Sequence, residues 1–259
     1  MLGTLRFAQP TVLLSLHFLL RAPSNAMTYL FHPSGSLPYH LRAWRRRHTL
    51  WAPFHARVRR WLTDWRPETR HLVLIGPSGG YALTAQFLER FERISVLEPD
   101  PLARWLLRRR FPGVAFDWQA SGYLARPGGF TRLAATFPDA ALLFCNLLGQ
   151  ELQGHPADFD RAVWLAELEP ALAGRLWASW HDLVSTARAP EEHLPLCLDH
   201  AISLDDLLTR VWHGGDLEIT DHETAGLCPS APRRYALWHL APRRHHLIEW
   251  LCSPQRPCP

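Results

Sequence analysis

The chain has 259 residues, 47% hydrophobic and 20% charged, which supplies one substantial core and excludes a disordered chain. All 28 basic residues are arginine, so Schiff-base chemistry and a P-loop lysine are excluded. The net charge of +4 is too small to argue for nucleic acid as a partner.

Taken in chain order, the first apolar run, Thr11–Leu20, is too short to span a bilayer. Arg6 before it and Ser24–Ala26 after it give it the look of a weak signal peptide. Translation from Met27, with residues 1–26 as upstream overhang, is the preferred expectation, because the rest of the chain reads as a cytoplasmic α/β protein. Residues 27–70 are expected to form a helical cap. Within it Leu41, Trp44, Trp51, Phe54, Val58, Trp61 and Leu62 recur near helical spacing, which predicts one or two helices interrupted at Pro53. The arginines at 45–47 and 57–60 lie on the other faces, as a solvated surface would place them.

From residue 71 to 259 the pattern alternates. Leu72–Ile75 reads as a strand, followed by a Gly/Ser bend and a helix, Leu83–Phe91, whose N-terminus is expected near Gly80. Ile94–Pro99 is a second strand, and Asp100 caps a helix that opens on Pro101. Val114–Trp118 and the wholly apolar Ala140–Asn146 are the third and fourth strands. A helix over Pro156–Leu172 leads to a fifth strand, Gly174–Trp180, and Ser203 caps another helix. "DLEIT" and Tyr235–Leu240 are late strand candidates. Strands alternating with helices predict an α/β fold built on a doubly wound, mostly parallel Rossmann-like sheet.

In such a sheet the ligand lies beyond the carboxyl ends of the strands. Gly76, Ser78, Gly79 and Gly80 occupy the first bend, where small residues permit φ > 0 and close approach of a ligand to the backbone. Glu98 ends the second strand about 20 residues on, where a carboxylate accepts ribose hydroxyls. Together they point to a nucleoside-containing ligand. His181 and Asp182 are expected at the end of the fifth strand, as a general base and its neighbour, or as a helix cap beside a surface histidine. Asp221, His222 and Glu223 fall in a polar loop that offers metal ligands together with His181 or His200. No recognised ligand spacing is present there, so no metal is expected. His245 and His246 are explained by a hairpin turn. Cys145, Cys197, Cys228, Cys252 and Cys258 are odd in number and form no C-x-x-C pair, which speaks for a reducing compartment.

"LVLIGPSGGYAL", "SVLEPDPLARWLLRRRF", "ALLFCNLLGQEL" and "LEPALAGRLWASWHDL" resemble the successive motifs of class I S-adenosylmethionine-dependent methyltransferases, over roughly His71 to Asp182. The resemblance implies a sheet that closes with an antiparallel strand pair near the C-terminus. It also implies that Gly76, Ser78 and Gly80 hold the methionine part of S-adenosylmethionine and that Glu98 binds its ribose. Asp117 falls to the adenine, and Asn146, with Gln150 as a further candidate, faces cofactor and substrate. The sequence departs from the family's pattern at Leu74, where an acid is usual, and at Ser78, which replaces the middle glycine. The expected function is therefore methyl transfer to a small-molecule acceptor, without a membrane partner. Leu74 keeps open the alternative of a catalytically degenerate methyltransferase-fold binding or scaffold protein. A nicotinamide cofactor fits the later motifs less well, and the sequence sets no oligomeric state.

Overall fold

A computed structural model describes residues 37–124, 127–149, 160–191, 196–198, 200–213, 217–228 and 231–253. Residues 1–36, Gln150 and the expected first turn of the helix at 156 lie outside them.

Among the described residues two helices precede the sheet, α1 (Leu37–Arg46) and α2 (Ala52–Asp64). The break between them falls at residues 47–51. Pro53 does not interrupt a helix, because it sits in the first turn of α2, where its missing N–H has no partner to lose. Trp51, Phe54, Val58, Trp61 and Leu62 are buried as their spacing predicts. On α1 the pattern fails: Leu41 and Trp44 are 48% and 62% exposed, and the helix buries His40 and Ala43 instead. The hydrogen bonds of His40 to Tyr81 and Asp100 set that face.

The strands are β1 (His71–Ile75), β2 (Arg93–Leu97), β3 (Phe116–Trp118), β4 (Ala141–Cys145), β5 (Trp177–Thr186), β6 (Leu196–Leu198), β7 (Thr220–Asp221), β8 (Arg233–Ala241) and β9 (Arg244–Cys252). They form one sheet in the order β3-β2-β1-β4-β5-β9-β8-β6, with β7 paired to β5. β1 to β5 run parallel, and β9 lies antiparallel between β5 and β8. The remaining helices among the described residues are α3 (Ala85–Leu88), α4 (Pro101–Arg110), α5 (Gly129–Thr136), α6 (Arg161–Leu172) and α7 (Leu204–Trp212). No helix among the described residues is long and apolar enough to cross a membrane.

Strand residues alternate between two cores, as a pleated sheet requires. Leu72, Leu74, Val96, Leu143 and Trp180 pack with α2, α3 and α4 residues such as Trp61, Phe87 and Leu107. Val73, Ile75, Leu142 and Phe144 pack on the opposite face with Phe130, Leu133, Trp164 and Leu168 of α5 and α6. A third cluster joins Leu183, Val184, Tyr235 and Leu247 to α7. Helices on both faces of a mostly parallel sheet make the fold a doubly wound, Rossmann-like α/β architecture. Order reverses between β1 and β4, so the switch crevice opens at the carboxyl ends of those strands.

Two boundaries differ from the sequence pattern at that edge. The helix expected to start near Gly80 is the four-residue α3, capped by Thr84, whose side chain accepts from Phe87 N at 3.1 Å. The intervening Tyr81, Ala82 and Leu83 are buried in a turn, so their apolar surface is spent on the core and not on a helical stripe. β5 runs on to Thr186, six residues past the expected end, because β9 continues to pair with it beyond the last register point of β4.

Candidate functional site

The loop after β1 is a turn built on positive φ angles: Gly76 (65°), Ser78 (52°) and Gly80 (67°). Glycine is needed at Gly80 on a second count. A Cβ there would stand 2.4 Å from Leu107 Cδ1 and 2.9 Å from Phe111 Cε2. Ser78 adopts the left-handed region without being glycine, and Glu98 holds it there. Glu98 Oε2 accepts from Ser78 N at 2.8 Å and Oε1 accepts from Asp100 N at 3.0 Å.

Glu98 is only 6% exposed, and burial pushes its carboxyl up to about 7 against the downward pull of the Asp100 and Ser78 N–H groups. Arg104 Nε donates to the Glu98 carbonyl oxygen, and Arg110 Nε donates to Gly79 O at 2.9 Å. Leu74, in the strand just before, is wholly buried among apolar side chains. The loop therefore takes its ordering carboxylate from the end of β2.

The N-terminal helices close over this loop. His40 Nε2 lies 3.2 Å from Asp100 Oδ2, and its Nδ1 lies 2.9 Å from the Tyr81 hydroxyl. Asp100 also caps α4 by accepting from Leu102 N. Arg59 Nη2 donates to Tyr81 O at 3.0 Å, and His55 stacks on the Tyr81 ring. Tyr39 packs against the Trp51 and Tyr81 rings. Burial, followed by Tyr81, Asp182 and Glu98, raises its phenol well above the ordinary range. Burial and the neighbouring Arg244 and Arg46 lower the Arg42 guanidinium, so three arginines gather beside this edge.

On the other side of the switch, Asn146 follows β4 with φ 54°. Its N–H donates to Trp180 O at 2.8 Å, and its Nδ2 donates to Asp182 Oδ2 at 3.2 Å. Asp182 Oδ1 lies 3.1 Å from His246 Nδ1. Burial alone would push the Asp182 carboxyl up, but His246, His222 and Asn146 outweigh it and hold the group below its ordinary value. His222 packs beside this pair, its imidazole lowered by burial against the opposing pull of Asp182. Thr224 Oγ1 donates to Asp182 O at 2.6 Å, and His222 N donates to Leu183 O at 2.9 Å.

Of the residues singled out from sequence, Gly76, Ser78, Gly80 and Glu98 are brought together, with Asn146 and Asp182 across the switch. Asp117 does not join them. It pairs with Ser95 in mid-strand, and its carboxylate accepts from Arg93 Nη2 at 2.8 Å and from Ser95 Oγ at 3.3 Å, near the amino ends of the strands. His181 and Asp182 are adjacent in an extended strand and so project to opposite faces. His181 is fully buried in a separate network: Nδ1 lies 3.0 Å from Ser179 Oγ and Nε2 lies 3.3 Å from Glu249 Oε2. Glu249 in turn pairs with Arg233 at 3.0 Å, whose guanidinium donates to Leu227 O and Cys228 O.

Sequence reasoning missed Tyr39, His40 and His246. The hairpin turn expected at His245 and His246 lies just ahead of them, since Ala241 already pairs with Arg244. Both histidines are buried in β9. A depression of about 410 Å³ lined by Arg66, Thr69, Gln86 and Arg90 lies near the start of β1, at the opposite edge from the loop, and takes no part in this site.

No protein-family model and no curated protein matches the chain. Among solved structures it is similar to a DhpI–SAH complex, with 13% identity over 85% of this chain and 94% of that one and a TM-score of 0.38. It is similar to a SAM-dependent methyltransferase from Anabaena variabilis, with 12% identity over 78% and 83% and a TM-score of 0.41. A third is the N-methyltransferase NodS from Bradyrhizobium japonicum, with 12% identity over 79% and 96% and a TM-score of 0.40. At these values the likeness is descriptive, and the architecture rests on the strand order itself.

Proposed function

We propose that the chain catalyses S-adenosylmethionine-dependent methyl transfer to a small-molecule acceptor in the crevice between β1 and β4. The supporting observation is a buried glutamate at the carboxyl end of β2 that also holds a positive-φ glycine loop in place. The residues fit the cofactor: each Glu98 oxygen keeps a lone pair beyond its backbone bond, and Asn146 Oδ1 is buried without a partner. Gly76, Ser78 and Gly80 would hold the methionine part and Glu98 the ribose hydroxyls. The cofactor, when bound, supplies an electrophilic methyl group on sulfur.

Much of the rate in such a transfer comes from alignment, which fixed groups on two rigid strands and a closed cap supply. Asn146, Asp182 and Tyr39 would face the acceptor, with Asp182 held ionised to orient it. The Arg42, Arg46 and Arg244 grouping suits an anionic acceptor, and the half-buried Tyr39 ring suits an aromatic one.

Calorimetric titration with S-adenosylmethionine and S-adenosylhomocysteine tests this, beside Glu98→Gln. The expected result is micromolar binding weakened at least about tenfold by the substitution, equivalent to one charge-assisted hydrogen bond of about 1.4 kcal/mol or more. A second reading, a non-catalytic scaffold, is favoured by one observation: both Glu98 oxygens already serve the chain's own backbone. No heat from either ligand in a demonstrably folded protein would decide for it.

A further inference from the structure

Asp182 on β5, His222 just after β7 and His246 on β9 are all buried, and each offers a donor atom within 4.8 Å of the others. Their polar atoms are poorly accounted for within the protein. Both ring nitrogens of His222, Nε2 of His246 and Oδ1 of the adjoining Asn146 are buried with no hydrogen-bond partner. A buried polar atom left without a partner is destabilising, so four in one place mark a site that something else completes. The surroundings are built to hold these side chains in place. Asn146 Nδ2 donates to Asp182, Thr224 donates to the Asp182 carbonyl oxygen, and the backbone of His222 is tied to Leu183. Gly149 presses against the group so closely that a Cβ there would stand 3.0 Å from His222 Cβ and 3.2 Å from Asp182 O.

We propose that Asp182, His222 and His246 form a binding site for a divalent transition-metal ion of the zinc class. Two imidazoles and one carboxylate suit zinc or ferrous iron, whereas magnesium and calcium take oxygen donors. Bonds of roughly 2.1 Å at tetrahedral angles place donors about 3.4 Å apart, so donors now within 4.8 Å of one another need to close by no more than about 1.4 Å, shared between two side chains. Asn146, bonded to Asp182, is the neighbour that orients the carboxylate. Three protein donors leave a coordination position open for an exogenous ligand. At the β4–β5 edge that position suits an oxygen or nitrogen of the methyl acceptor; this last assignment rests on the proposed methyl transfer, whereas metal binding does not.

The test uses tag-free full-length protein, stripped with a chelator and dialysed, then titrated with Zn²⁺ in a calorimeter and with Co²⁺ by visible absorption. The expected result is one ion per chain at micromolar affinity or tighter, with Co²⁺ ligand-field bands of a four- or five-coordinate site. His222→Ala is the first variant, because no hydrogen bond of the His222 ring holds the fold together; His246→Gln is the second. Each should weaken Zn²⁺ binding by about 10–100-fold or more with unchanged far-ultraviolet circular dichroism. Absence of saturable binding in the folded protein, or equal binding by the wild type and both variants, would overturn the site. S-adenosylhomocysteine titration of the same samples keeps the proposals apart. Zinc without nucleoside binding leaves the metal site and removes the methyl transfer, and the reverse outcome does the opposite.

Discussion

Replacing Glu98 by glutamine isolates the titration of one buried carboxyl. Its pKa rises from 4.5 to about 7 because burial penalises the charge more than two backbone N–H groups favour it. In this group the folded pKa lies above the unfolded one, so the folded state holds the proton more tightly. Its stabilising contribution is complete below pH 4.5 and is lost as pH rises through about 7. At 1.36 kcal/mol for each pH unit, that interval is worth about 3 kcal/mol. Glutamine does not titrate. It keeps one acceptor oxygen for Ser78 N or Asp100 N and turns its amide group toward the other, a cost that is the same at every pH. The difference in unfolding free energy, wild type minus variant, should therefore fall by about 3 kcal/mol between pH 4.5 and pH 8. Urea unfolding at several pH values measures it. The binding side runs the other way: ribose hydroxyls donate to an ionised carboxylate, so affinity for S-adenosylhomocysteine should rise about tenfold from pH 6 to pH 8 in the wild type alone. A stability difference that stays flat with pH would refute the argument that burial dominates at Glu98.

Three other substitutions probe the glycine loop, the buried ion pair and the helical cap. Gly80→Ala places a Cβ against Leu107 and Phe111 at a positive φ, and should lower unfolding free energy by about 2–4 kcal/mol and abolish nucleoside binding; an unchanged denaturation midpoint would count against the loop geometry. Glu249→Gln leaves the buried Arg233 guanidinium without its carboxylate and should cost about 3–5 kcal/mol in stability, while S-adenosylhomocysteine affinity of the remaining folded protein stays within about twofold. His40→Ala removes the links from α1 to both Tyr81 and Asp100. It should cost about 1–3 kcal/mol in denaturant unfolding and raise protease cleavage within residues 37–46.

Much of the architecture was legible because its signals are local. The strand runs at Leu72–Ile75 and Ala141–Cys145 are apolar on both faces, and Asp100 and Ser203 cap their helices through Leu102 N and Asp206 N as their residue types suggest. Gly76, Gly80 and Glu98 could be placed at one edge from spacing alone, since a strand–turn–helix–strand unit returns the chain there. The burial of Leu74 was legible too, as one more apolar residue in a strand.

What only the tertiary structure decided is which distant groups share that edge. His246 meets Asp182 across 64 residues because the β8–β9 hairpin slides β9 along β5 to one register, with a bulge between Asp182 and Val184. Strand alternation then sends His181 to Glu249 on one face and Asp182 to His246 on the other. Nothing in the spacing of "HD" or "HH" encodes that register, because it is set by the packing of whole strands. His40 enters the site for the same reason: a polar residue on a helix is committed to the interior only when a partner from another element satisfies it, and here those partners are Tyr81 and Asp100.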